Sequence, residues 1–269
     1  MPKISKFKTT LIEIAKDISP IVSMGDMENL FPETTYDGYK STLMRMQKRG
    51  EVLLVWKGIY IINPKEYFGG EYVHLKEYLD VVMHNMNKDY YVSLRGAMAE
   101  YSPSTYNFEY YDIIVERPGL HGTVGDTKPS AYFVNSASVP SSYIINKETR
   151  YGSFRLATRE LLAIDLITYP NVLGSLQASV NVLKVLLPRL NFRRLQEDIF
   201  KYRTAANIQR LGYIIENVLD KPAKAQPLHD LLDKRYNKVY ARNALASALP
   251  LSHKIDKRWQ LDVNIELEG

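Results

Sequence analysis

The clearest hydrophobic pattern in the chain lies in residues 36–49, where apolar positions recur at helical spacing. Successive helical residues are rotated by about 100°, so this spacing separates an apolar side of the helix from a polar one. Thr34 or Thr35 can accept the free amides that open a helix, and Gly50 can take the left-handed conformation that closes one. The apolar side is formed by Tyr36, Tyr39, Leu43 and Met46, the opposite side by Ser41, Arg45 and Lys48, and the flanks by Lys40 and Arg49.

The pattern after Gly50 changes to two β-rich runs, at residues 52–55 and 59–62. Trp56, Lys57 and Gly58 separate these runs. This spacing is typical of a tight β-hairpin with glycine in the turn.

Two shorter helices are predicted upstream. Thr10 with Glu13, and Ser23 with Asp26, have the spacing of capping boxes. The first helix carries an apolar stripe and ends at Ser19-Pro20, and the second ends at Pro32; the stripe consists of Leu11, Ile14, Ala15 and Ile18. Three short helices and a hairpin predict a winged helix-turn-helix over residues 1–66, whose third helix would enter a DNA major groove.

Candidate DNA-binding residues follow from this arrangement, with Lys3, Lys6 and Lys8 on an N-terminal arm and Lys57 at the wing tip. On the other hand, a basic helix face is also typical of a protein-interaction module whose charges are merely solvated. We expect base or phosphate contacts from Ser41, Arg45 and Lys48, and backbone positioning from the arm, the flanks and the wing. The predicted set is Thr35, Tyr36, Lys40, Ser41, Arg45, Lys48, Arg49, Lys57, Lys3, Lys6 and Lys8.

The remainder of the chain, residues 71–269, is predicted to be a mixed α+β domain with a small β region and a helical C-terminal part. Helices are expected at 73–86 and 94–101, then strands at 108–115, 131–134, 143–146 and 152–156. The later helices are expected at 159–168, 174–187, 192–202, 204–219 and 228–236, and a final strand at 259–267.

Composition adds limits to the function. The 269 residues contain no cysteine, which excludes disulfides and thiolate metal sites. No signal-peptide pattern and no long apolar run is present, so we expect a cytoplasmic protein without a membrane partner. Residues 151–269 carry 18 basic and 12 acidic residues, so a functional surface there is a further hypothesis. Its candidates are Arg189, Arg193, Arg194, Lys201, Arg203 and Arg210.

Catalytic patterns are weak, and we expect neither an enzyme nor a cofactor. The five histidines lack the spacing of metal ligands. Asp112 and Glu116 lie in a β-rich segment and leave open a degenerate Mg²⁺-dependent nuclease, although Arg117-Pro118 follows where such nucleases need a strand residue and a lysine. Asp165 lies in an apolar helix, where a structural hydrogen bond is the expected role. A regulator that senses a ligand is another open alternative.

Several short segments, in their order and spacing, resemble the AbiEi family of antitoxins from abortive-infection toxin–antitoxin pairs. The resemblance covers nearly the whole chain. One departure is Arg159, which stands where the family commonly has a proline before its aspartate-bearing helix. The similar segments are 43–51, 57–60, 90–98, 157–166, 210–216 and 259–264.

The resemblance implies a function in phage defence. The N-terminal domain would bind inverted repeats of double-stranded DNA in the promoter of its own operon and repress it. The C-terminal domain would antagonise a cognate nucleotidyltransferase toxin without a stable complex. We expect a monomer in solution that pairs on DNA, although the sequence leaves open whether two copies pair before they reach DNA.

Overall fold

The computed structural model describes residues 2–69, 73–120 and 129–269, with side chains from residue 7 onward. The fold is mixed α+β, as the sequence predicts. Among the described residues, no helix is both long and apolar enough to cross a membrane.

The chain divides into two compact units. The first consists of Met1–Val92, Asn107–Ser136 and Asn146–Arg155, and the second of Ser93–Tyr106, Ala137–Ile145 and Leu156–Gly269. The domain boundary expected at residues 66–71 lies inside the first unit, because strand-forming segments from later in the sequence belong to that unit as well.

The N-terminal part of the first unit has the element order of a winged helix. Three helices precede and flank a three-stranded antiparallel sheet of order β1-β3-β2. Only β1 was not predicted, because it is three residues long and its pairing partner lies far away in sequence. The elements are α1 (Pro2–Asp17), β1 (Ile21–Ser23), α2 (Met24–Leu30), α3 (Tyr36–Lys48), β2 (Val52–Trp56) and β3 (Ile59–Ile62).

Helix α1 begins well before the predicted start at Thr10, so the capping box proposed there is wrong. Phe7 is buried and extends the apolar stripe through Leu11 and Ala15 at intervals of four residues, which keeps the chain helical upstream. Ile18, assigned to this stripe, is 79% exposed because the helix ends at Asp17. The predicted N-terminal arm is therefore part of a helix.

Helix α2 begins at the predicted capping box. The Ser23 amide donates to Asp26 Oδ2 at 2.7 Å, and the Asp26 amide donates to Ser23 Oγ at 3.1 Å. The helix carries Met27 into a core with Tyr39, Leu43 and Met46 of α3. Three helices thus share one apolar core, and the inner side of α3 packs into it.

A five-stranded sheet of order β6-β5-β4-β8-β7 follows the winged helix. The antiparallel β4–β5 pair places Tyr91 opposite Ile114, whereas β5 and β6 run parallel. Four of its strands were predicted to within a few residues. The elements are α4 (Pro64–Phe68), a 3₁₀ turn (Leu75–Glu77), α5 (Leu79–Asn85), β4 (Tyr90–Val92), β5 (Tyr110–Glu116), β6 (Ser130–Ser136), β7 (Ile144–Glu148) and β8 (Ser153–Ala157).

The second unit is mainly helical, with a small sheet of order β10-β11-β9. Helices α6 and α7 have the bounds that the sequence predicts, and the Thr158 hydroxyl caps α7 by accepting from the Leu161 amide at 3.3 Å. The elements are α6 (Leu94–Tyr101), α7 (Arg159–Thr168), α8 (Leu176–Leu186), α9 (Ala205–Tyr213), a π-helical turn (Ile214–Val218), α10 (Pro222–Tyr236), β9 (Asn243–Ala244), β10 (Ile255–Asp256) and β11 (Leu261–Asp262).

Three predictions for this unit are wrong. The helix expected at 192–202 is replaced by two 3₁₀ turns, Phe192–Arg194 and Glu197–Lys201. Helix α10 begins at Pro222, where a proline fits the first turn, and continues through Pro227. The final strand expected at 259–267 contains only the two residues of β11.

Candidate nucleic-acid interface

The position of α3 is fixed by its two ends and its inner side. Thr35 Oγ1 accepts a hydrogen bond from the Gly38 amide at 3.3 Å, and Gly50 has a φ of +70°, the left-handed conformation expected after a helix. Tyr39, Leu43 and Met46 are buried as predicted. Tyr36 is not, because it is 56% exposed at the first helical position.

The outward side of α3 consists of two rows of side chains. Within each row the residues are four positions apart, so they lie next to one another along the helix surface. All eight residues are exposed. The first row is Tyr36, Lys40, Met44 and Lys48, and the second is Asp37, Ser41, Arg45 and Arg49. We call these eight residues the α3 face.

Most of the positive charge on the α3 face is uncompensated. Lys40, Lys48 and Arg49 form no ion pair with any residue that the structure describes. Arg45 lies along its own helix, where Nε donates to Ser41 O at 3.2 Å and Nη2 donates to Thr42 Oγ1 at 3.3 Å. These contacts leave the guanidinium charge unneutralised, so the face can attract an anion.

The hairpin carries another cation at its tip. Lys57 is exposed in the turn between β2 and β3, and Gly58 beside it has a φ of +73°, as a tight turn requires. The Met24 amide donates to Gly58 O at 2.7 Å, which ties the wing tip to the start of α2. The wing therefore presents Lys57 from a fixed turn.

The predicted arm residues do not join this set as free cations. Lys8 Nζ lies 2.6 Å from Glu51 Oε1 in an ion pair that joins α1 to the residue before β2, so its charge is compensated. Lys3 and Lys6 lie in α1, but their side chains are outside the described part. Met44, which the sequence reading omitted, is exposed between Lys40 and Lys48 and could have been found from its helical spacing.

The predicted C-terminal basic surface separates into exposed and buried residues. Arg189, Arg193, Arg194 and Lys201 are exposed. Arg203 does not belong to a surface, since it is only 3% exposed.

Arg203 is buried because its guanidinium forms a salt bridge with the buried carboxylate of Asp165. Its Nε and Nη2 atoms lie 3.0 and 2.6 Å from Asp165 Oδ1. Ser93 Oγ donates to Asp165 Oδ2 at 2.7 Å, and Arg203 Nη1 donates to Tyr202 O at 2.7 Å. We call Ser93, Asp165 and Arg203 the buried ionic cluster. It gives Asp165 the structural role that the sequence suggests.

Arg210 is half-buried, and part of its guanidinium is used inside the second unit. Its Nε donates to Ala244 O at 2.8 Å, and burial lowers the pKa of its guanidinium. The hydrogen bond to Ala244 O partly offsets the free-energy cost of burying the Arg210 guanidinium. Arg203 is paired with Asp165 of helix α7 and Arg210 is bonded to Ala244 of β9, and neither neighbour is close to its arginine along the chain.

The structure does not bring together the two carboxylates on which the nuclease alternative depends. Asp112 is fully buried and Glu116 is exposed at the end of β5. Four strand positions separate their Cα atoms by about 13 Å, too far for one Mg²⁺. Among the described residues, no three His, Asp or Glu side chains are grouped to hold a metal.

Comparison with solved structures supports the fold. The chain is similar to the crystal structure of the RV2827C protein from Mycobacterium tuberculosis, with a TM-score of 0.59 and 16% sequence identity. The match covers 95% of this chain and 90% of that chain. At this identity the likeness shows the fold alone. No protein-family profile and no curated protein sequence matches the chain.

Proposed function

We propose that this protein binds double-stranded DNA through its winged helix and represses transcription of its own operon. The observation that carries the proposal is the α3 face, a helix surface in a winged-helix fold whose exposed cations have no carboxylate partner among the described residues. An α-helix fits the B-DNA major groove, which is about 12 Å wide. The expected partners are the inverted repeats of the promoter.

The roles of individual residues follow from their side chains. Arg45 exchanges its bonds to Ser41 and Thr42 for a bidentate contact with a guanine edge, because both bonds lie within one helix and the bond to Ser41 O is solvent-exposed. Lys40, Arg49 and Lys57 contact backbone phosphates, which sets the register of α3 without reading sequence. Each phosphate contact releases a counterion, so affinity falls as salt rises.

The antitoxin part of the proposal rests on the resemblance to AbiEi antitoxins. We propose that the protein antagonises a cognate nucleotidyltransferase toxin without a stable complex, and that two monomers pair on DNA. Growth rescue on co-expression with that toxin, together with separate elution of the two proteins in size-exclusion chromatography, is the expected result. Co-elution would contradict antagonism without a complex.

The DNA-binding half is tested by fluorescence anisotropy of the full chain with DNA from upstream of its own gene. We expect Arg45→Ala plus Lys48→Ala to weaken binding about 100-fold, since two direct contacts are lost. Lys16→Ala plus Arg117→Ala is the matched control, because both residues are exposed in the first unit and outside the α3 face. Equal affinities for the two double variants, or equal binding to scrambled DNA, would contradict the proposal.

A further inference from the structure

The second unit contains a basic pocket that the DNA-binding proposal does not use. It lies between the turn 188–193 and the first two turns of α10, with a volume of about 520 Å³. We infer that this pocket binds a small phosphorylated molecule. The inference does not depend on DNA binding, because it concerns other residues and another ligand.

Three cations line the basic pocket: Arg189, Arg193 and Lys224. Arg189 and Arg193 are exposed, and neither forms an ion pair with a residue in the described ranges. No Asp or Glu is among the lining residues. A cleft lined by charges of one sign concentrates counter-ions, so an anion is the ligand that its electrostatics favour.

The pocket wall is held by specific hydrogen bonds. Lys224 Nζ donates to Leu190 O at 2.8 Å and lies 3.5 Å from Pro188 O, which joins α10 to the turn. An ammonium has three donors, so one remains for a ligand. Behind the turn, Glu160 Oε1 accepts from the Asn191 amide at 2.9 Å. Glu160 is 4% exposed, so its carboxylate fixes the turn from the interior and does not line the pocket.

The ligand class follows from the shape and the donors. Two guanidinium groups and an ammonium suit the several acceptor oxygens of a phosphate, which Arg binds in bidentate fashion. The volume lies within the range of small-molecule sites, about 300–1,000 Å³. An open cleft of this volume accommodates a small ligand, whereas a duplex requires an extended basic stripe.

A second cavity provides room for the rest of such a ligand. Its volume is about 340 Å³, and it shares Pro188 and Lys224 with the basic pocket. Its lining is mainly apolar, from Leu187 and Leu219, with Lys184 among its other residues. An amphipathic molecule would place its phosphate between the arginines and its apolar part in this second cavity.

The test is calorimetric titration of the full chain with pyrophosphate at constant ionic strength. We expect saturable one-to-one binding, weakened at least about tenfold by Arg189→Gln plus Arg193→Gln. Arg194→Gln plus Lys201→Gln is the matched control, because it removes two exposed charges outside the pocket, and it should leave the affinity unchanged within about twofold. Thermal unfolding of each variant confirms that it is folded.

Three results would overturn the inference. The first is the absence of saturable binding by the unaltered protein. The second is an equal loss in both double variants, which would indicate non-specific attraction to surface charge. The third is displacement of pyrophosphate by a short duplex of unrelated sequence, which would place a nucleic-acid backbone at these arginines.

Discussion

The α3 face and the buried ionic cluster use the same kinds of charged residue under opposite conditions. Arg45 lies on an exposed helix surface, without a carboxylate partner in the described residues, and Arg203 is buried on Asp165. A solvated charge has no desolvation penalty and can bind a partner, whereas a buried charge is strongly destabilising unless it is paired. The same residue type is therefore a candidate for recognition at Arg45 and a structural group at Arg203.

The largest effect is expected for Arg203→Ala. This change leaves the Asp165 carboxylate buried with the Ser93 bond but without the guanidinium, and should lower the free energy of unfolding by about 3–5 kcal/mol. Urea denaturation measures the loss. The double variant Asp165→Ala plus Arg203→Ala should be less destabilised than the sum of the two single variants. A loss below about 1 kcal/mol for Arg203→Ala would show that the pair is not structural.

A smaller effect is expected at Asp262, another buried carboxylate of the second unit. Burial raises its pKa, but the Ser252 amide and hydroxyl and the His253 amide donate to it at 2.8–2.9 Å, and the net result is a lowered pKa. Its stabilising contribution is thus present above the unfolded-state pKa of about 3.9 and is lost as pH falls through the lower folded-state value.

Unfolding free energies measured from pH 7 down to pH 3 test this linkage. Stability of the unaltered protein should fall more steeply below about pH 4 than that of Asp262→Asn, which cannot titrate. Asp262→Asn should also be less stable at pH 7, because an amide nitrogen replaces one of two accepting oxygens. Parallel pH curves for the two proteins would contradict the role assigned to this carboxylate.

The smallest stability effect belongs to the α3 face. Arg45→Ala plus Lys48→Ala removes two exposed charges and should change the free energy of unfolding by no more than about 0.5 kcal/mol, as measured by thermal and urea unfolding. Its loss of DNA affinity would then be a loss of contacts. A destabilisation above about 1.5 kcal/mol would show that Arg45 and Lys48 have a structural role like that of Arg203, and the difference between the α3 face and the buried ionic cluster would not hold.

The sequence predicts the elements that local signals specify. Thr35 caps α3, Ser23 and Asp26 open α2, and Thr158 caps α7, because each uses a side chain within a few residues of the amide it binds. The hairpin is also local, since Gly58 supplies the positive φ that its turn requires. These features depend on neighbours along the chain.

Features that depend on distant packing were not predictable. Helix α1 passes through Thr10 because Phe7 packs in the winged-helix core, and helical spacing at 192–202 is realised as two 3₁₀ turns. Periodicity shows which side of a helix is polar but not what covers it. Thus the sequence pattern gives Arg45 and Arg203 the same role, and only the structure shows that Arg203 is buried against Asp165.

The central claim is that the cations of the α3 face and wing contact DNA phosphates, and the salt dependence of binding tests it most directly. The slope of log affinity against log salt should correspond to several phosphate contacts in the unaltered protein. Lys40→Ala plus Lys57→Ala should reduce its magnitude by about 2, since each lost contact accounts for about 0.9. Arg189→Gln plus Arg193→Gln should leave it unchanged. An unchanged slope in the first variant would contradict the account.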